Sequence, residues 1–189
     1  MKMTIVLATL AVSIPVFAQT ALAPLEPGTV FTFNSNGAST TITIKQMDGV
    51  AIHQEQVSPS GTRVTELVGF GVNLGTEKSE TMSDSNREKV SSLFPLKVGN
   101  KAQYDHSGVS NGRPWTMSDK TETISEESVT VAAGTYKTIV IQTEMSGGSF
   151  NGQNTCWYAP EIGYCAKMQT KQRGSADLVR ELVSVTTPK

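Results

Sequence analysis

With 189 residues, 38% apolar content and a formal net charge of −1, the chain carries enough apolar material for one domain with a buried core. Near-neutral charge without a basic run argues against nucleic acid as a partner and against electrostatic attachment to an acidic membrane surface. The ordinary apolar content likewise excludes disorder as the default state.

The first stretch reads as a targeting segment. Lys2 is a minimal positive start, Thr4 to Ile14 is apolar, and Val16-Phe17-Ala18 is a small-residue cleavage motif before Gln19. Cleavage is expected after Ala18, because the alternative at Ala21-Leu22-Ala23 would place Pro24 at the first mature position. The apolar run is shorter than the roughly 20 residues a spanning helix needs, so no transmembrane segment is expected after signal cleavage. No cysteine follows it that would take a lipid anchor. Residues 1–18 are thus read as a signal peptide and residues 19–189 as a single β domain, periplasmic or secreted.

From Gly28 onward the punctuation is that of an antiparallel meander. Thr29 to Phe33 predicts a strand ended by Asn34-Ser35-Asn36-Gly37, and Thr40 to Met47 alternates with Ile42 and Ile44 on one face. Asp48-Gly49 predicts a two-residue hairpin turn into Val50 to Val57, where Ile52 opposes His53 and Glu55. Arg63 to Val72 predicts a single strand with Val64, Val68, Phe70 and Val72 on one side. Gly75 to Ser92 is polar and reads as a long connection, with a helical turn or two over Asp84 to Leu93 capped by Asp84.

Lys101 to Val109 and Trp115 to Ser125 pair about Asn111-Gly112-Arg113-Pro114. Tyr136 to Met145 is the most β-compatible run, and a final strand spans Ala176 to Thr187. Between them, Thr155 to Met168 reads as a hairpin about Pro160-Glu161-Ile162-Gly163. Alternation puts Trp157, Tyr164, Ala166 and Met168 on an expected core face, and Cys156, Tyr158, Cys165 and Lys167 on the other. The fold expected is all-β: roughly ten strands in an antiparallel meander, forming a strongly curved sheet, half-barrel or barrel.

Two cysteines in an exported chain point to a disulfide, Cys156 to Cys165, over a metal site. A two-residue turn at Pro160-Glu161 would set them directly opposite; a four-residue loop from Pro160 to Gly163, which the proline favours, makes them diagonal neighbours, and the bridge then requires a local twist.

Asp105-His106-Ser107 cannot form a relay among themselves, because adjacent strand residues face opposite ways. His106 shares its face with Ala102 and Tyr104, which reads as a satisfied histidine at the core edge. His53 with Glu55 would give two metal ligands where three or four are needed, and solvated face residues are the simpler reading. Glu122, Glu126, Glu127 and Glu144 show no pairing that signals glycoside chemistry. Neither catalytic residues nor metal ligands are assigned, and no cofactor is expected.

Trp115, Trp157, Tyr158 and Tyr164 are candidates to line an apolar cleft, against the simpler reading that such aromatics are core or sheet cover. The candidate ligand-binding residues are Trp115, Tyr104 and Tyr158.

Three blocks carry a resemblance: Phe94 to Lys101, Val129 to Thr138, and Trp157 to Tyr164. In this order they resemble the DUF3108-like group of uncharacterised β-rich bacterial periplasmic proteins and lipoproteins. The likeness covers about the C-terminal half. The chain departs from it at Ala102, where relatives usually place Trp, and in its cysteine pair. The resemblance implies antiparallel β architecture and brings no catalytic residues. The function expected is a non-catalytic periplasmic binding or envelope-associated module that holds an apolar small molecule or an envelope protein against a curved sheet. The alternative is a hydrolase whose site assembles from distant strands.

Overall fold

Thr, Val and Ile recur at alternate positions, and one face of each such run buries while the other meets water. The computed structural model describes residues 25–76, 80–110, 112–147 and 150–188. The expected signal peptide lies outside the described residues.

Twelve strands are found among the described residues. They are β1 (Val30–Ser35), β2 (Ala38–Asp48), β3 (Ala51–Ser58), β4 (Gly61–Val68), β5 (Asn73–Thr76) and β6 (Glu80–Thr81), then β7 (Lys101–Ser110), β8 (Arg113–Val131), β9 (Gly134–Gly147), β10 (Phe150–Ala159), β11 (Tyr164–Gln172) and β12 (Leu178–Thr186). Each pairs antiparallel with its neighbours in the chain, and β1 also pairs antiparallel with β12, which closes a barrel. An up-and-down meander closes antiparallel only with an even number of strands, and closure removes the unpaired edges of an open sheet.

One helix, α1 (Asp84–Ser91), interrupts the meander between β6 and β7. Its N-cap is Ser83, so Asp84 is a first-turn acid and not the cap expected from the sequence. Arg87 ties the helix to the barrel, its Nη1 and Nη2 donating to Glu66 Oε1 and Oε2 at 2.6 and 2.8 Å. The same side chain donates to the carbonyls of Met82 and Leu74.

Three local expectations are corrected. The turn between β2 and β3 is Gly49-Val50, because Asp48 pairs with Ala51. Gly49 has φ 58°, the left-handed value that a short hairpin turn demands. The run from Arg63 to Val72 is not one strand. The chain doubles back after Val68 around Gly71 (φ 89°), and β5 pairs with β4.

Trp157 is also not core. Cys156 and Tyr158 on either side of it are almost fully buried, so alternation turns Trp157 outward, half-buried. Lys167 Nζ lies 5.6 Å from its ring centroid, and its Nε1 donates to Glu127. Across the hairpin Trp157 pairs with Lys167 and Tyr158 with Cys165, which leaves Ala166 as the extra residue of a β-bulge. That bulge supplies the twist the diagonal cysteines need. Cys156 and Cys165 are bonded, with S–S 2.12 Å and Cα atoms 5.6 Å apart.

The two ends of the barrel differ. The β4–β5 bend, the β10–β11 loop and α1 gather at one end. There Phe70 packs on Phe94 at 5.6 Å, and Val90, Leu93 and Leu96 are almost fully buried. Phe31, Phe33, Ile42, Ile44 and Ile52 belong to the same core. The apolar filling stops short of the opposite end, which holds the β1–β2, β3–β4, β7–β8, β9–β10 and β11–β12 turns.

Candidate binding site in the barrel lumen

At that opposite end the inward faces of nine strands enclose a cavity of about 510 Å³. Its walls follow from the period-2 rule: Gln54 and Gln56 on β3, Arg63, Thr65 and Leu67 on β4, Trp115 and Met117 on β8, Met168 and Thr170 on β11. Asn73, His106, Met145, Asn154, Tyr164 and Arg180 complete the lining together with Gly71. The wall is therefore mixed. Trp115, Leu67 and three methionines give apolar surface, while amides, hydroxyls and two arginines give polar points.

Register places the polar groups by depth. Tyr104 pairs with Asp119, His106 with Met117, and Gly108 with Trp115, so the lining climbs from Tyr104 toward the mouth at Trp115. Below the cavity, Tyr104 Oη shares a hydrogen bond of 2.7 Å with Thr121 Oγ1, which shares one of 2.9 Å with Thr143 Oγ1. Burial, with the Asp119 charge nearby, raises the Tyr104 phenol well above its ordinary value, so it stays neutral. One step higher, His106 Nδ1 lies 3.5 Å from Asp119 Oδ2, both side chains almost fully buried. Trp115 meets the His106 ring edge-on at 5.4 Å.

Tyr164 joins the cavity floor to the far wall. Its hydroxyl donates to Gln54 Oε1 at 2.7 Å, and burial pushes its phenol up to about 12. Arg180 on β12 stands opposite Met168 on β11 and Ser35 on β1. Its Nε is buried without a hydrogen-bond partner among the described residues. Burial lowers its guanidinium below the ordinary arginine value, with Tyr164 acting against that shift. An arginine nonetheless stays charged at neutral pH.

Of the residues singled out from the sequence, Trp115 lines the cavity. Tyr104 lies beneath it, and Tyr158 is fully buried with no place in the lining. His53 and Glu55 do not converge: His53 lies 3.9 Å from Glu66, and Glu55 pairs with Lys45 at 3.3 Å. No group of three or more possible metal ligands occurs among the described residues. Arg63 and Arg180 were not anticipated, since a charged residue in a strand carries no local mark of facing inward. A second depression, lined by Lys101, Lys120, Glu122 and Glu144, mixes both charges and expresses no ligand preference. No helix among the described residues is long and apolar enough to cross a membrane.

Solved structures share this architecture. An Escherichia coli protein described as the hypothetical lipoprotein YmcC matches with TM-score 0.54 and 15% identity, over 87% of each chain. A Bacteroides fragilis protein with a YmcC-like fold, described as exported, matches with TM-score 0.52 and 13% identity, over 89% of this chain and all of its own. A Parabacteroides distasonis protein described as a lipoprotein matches with TM-score 0.52 and 14% identity, over 90% of this chain and all of its own. At such identities the likeness is one of fold. No protein-family model matches the sequence, the DUF3108-like group included, and no curated protein matches it.

Proposed function

We propose that the chain is a non-catalytic binding module of the bacterial envelope, exported by cleavage of residues 1–18, that holds an apolar small molecule in the barrel lumen. One observation carries the reading: the barrel core is packed at the α1 end, while a cavity of about 510 Å³ remains at the other. That volume falls within the roughly 300–1,000 Å³ of small-molecule sites, and the mixed wall offers apolar surface at Trp115, Leu67 and the methionines together with polar points that can orient a ligand. The exported and lipoprotein descriptions of the fold's solved relatives support the location. Native mass spectrometry of protein purified from its own periplasm tests the reading. A retained small molecule that leaves on unfolding is the expected result. A bare chain whose Trp115 emission is unmoved by a series of alkanols and alkanoic acids would overturn it.

A second reading rests on the His106–Asp119 pair. A histidine held by a buried carboxylate is two parts of a hydrolytic relay, lacking an identified nucleophile. Turnover of 4-nitrophenyl esters abolished by His106→Gln would favour it over the binder.

A further inference from the structure

The arginine and carboxylate residues that line the cavity, among the described residues, are of one sign. Arg63 and Arg180 line it, and no Asp or Glu is among the described residues that do. Asp119, the nearby buried carboxylate, lies against His106. Arg180 is the telling residue, because its Nε is buried with no partner among the described residues. A buried donor left unsatisfied costs stability. A binding site is one place where such a cost persists, because the ligand repays it.

The remaining wall suits the other half of an amphiphile. Met117, Met145 and Met168 come from three different strands and stand with Trp115 and Leu67 around the same space. Methionine is unbranched and polarisable, and it adapts to irregular or flexible apolar partners. Arg180 pairs across strands with Met168, so the cationic point and the apolar wall are adjacent.

Building on the lumen-binding reading, we infer that the occupant is a single-chain amphiphile with an anionic head group, its carboxylate or phosphate accepting from Arg180 and its hydrocarbon lying along the methionines and Trp115. A guanidinium presents a fork of N–H donors to such a head group, and charge-assisted bonds of this kind are among the stronger ones available. A neutral alcohol offers Arg180 only an uncharged acceptor, a weaker partner than an anion, and a cationic head group would be repelled.

The test compares dodecanoate, dodecyl phosphate, dodecanol and dodecyltrimethylammonium, with Trp115 emission read in a Trp157→Phe background so that a single tryptophan reports. The anions should bind about 10- to 100-fold more tightly than dodecanol, the range expected of a hydrogen bond to a charged group, with the cation weakest. A terminally brominated dodecanoate should quench Trp115. Arg180→Met should remove most of the anion preference while dodecanol still binds, which also shows that the variant is folded. The stronger of the two anions identifies the head-group class. Dodecanol binding as tightly as the anions, or the cation binding best, would overturn the head-group inference and leave the lumen reading standing. Failure of all four probes to reach Trp115 would overturn both. The wild-type comparison decides even if Arg180→Met does not fold.

Discussion

The Tyr164 hydroxyl donates to Gln54 Oε1 at 2.7 Å, linking residues 110 positions apart across the barrel. Both groups are almost fully buried, so neither has water as a ready substitute. Tyr164→Phe should therefore lower stability by about 1–3 kcal/mol, the cost of an unsatisfied buried amide. Adding Gln54→Leu should recover part of that loss, and urea unfolding of the two single variants and the double variant measures it.

The same tyrosine predicts a response to alkali. Its folded value of about 12 lies above the ordinary 10.0, so the folded protein keeps a proton that the unfolded chain releases. Its contribution should be fully present below pH 10.0 and be lost as pH rises toward about 12. Phenolate absorbance should appear together with unfolding, and Tyr164→Phe should weaken the coupling.

Arg87 and Glu66 predict the opposite sign in acid. The Arg87 hydrogen bonds lower the Glu66 carboxyl below 4.5, so the pair's stabilisation is present above that pH and lost below it. The pair keeps some contact with water, so Arg87→Met should cost only about 1 kcal/mol. Amide exchange should show the loss concentrated in α1, with a shallower decline in stability below pH 4.5.

Reducing the Cys156–Cys165 bridge should cost about 2–3 kcal/mol by the chain-entropy relation, since it closes a short loop of sequence separation 9. Paired urea titrations with and without reductant measure that difference. Two free thiols in unfolded, unreduced protein would show the bridge to be absent.

A Cβ added at Gly69 would sit 2.5 Å from the Gly163 carbonyl oxygen and 3.1 Å from the Tyr158 ring. The β4–β5 bend and the β10–β11 loop meet there, and a backbone oxygen yields less readily than a side-chain tip. Gly69→Ala should lower stability by about 1–3 kcal/mol, as overpacking does. Trp157→Ala, on the outer face, should cost about 1 kcal/mol. Thermal or urea melts should rank Gly69→Ala at or above it.

Much of the barrel was written in local pattern. Side chains on a strand alternate, so the Ile42/Ile44 stripe and the separation of Ile52 from His53 could be read from neighbouring residues alone, and glycines with Asn, Asp or Pro marked most turns. Alternation cannot say which face is the core, however, or where a strand gains an extra residue. At Trp157 the inward face belonged to Cys156 and Tyr158, and at Ala166 the bulge changed the register. Closure through β1 and β12 is likewise a pairing of distant segments. The cavity lies furthest from local reading. Trp115 could be named from its aromatic character, but Arg63, Met145 and Arg180 acquire a common surroundings only when β4, β9 and β12 curve around one lumen. Sequence alone determined strands and turns, because these depend on dihedral preference and near neighbours. Only the tertiary structure decided which charges face inward together, because that depends on register and closure summed over the whole sheet.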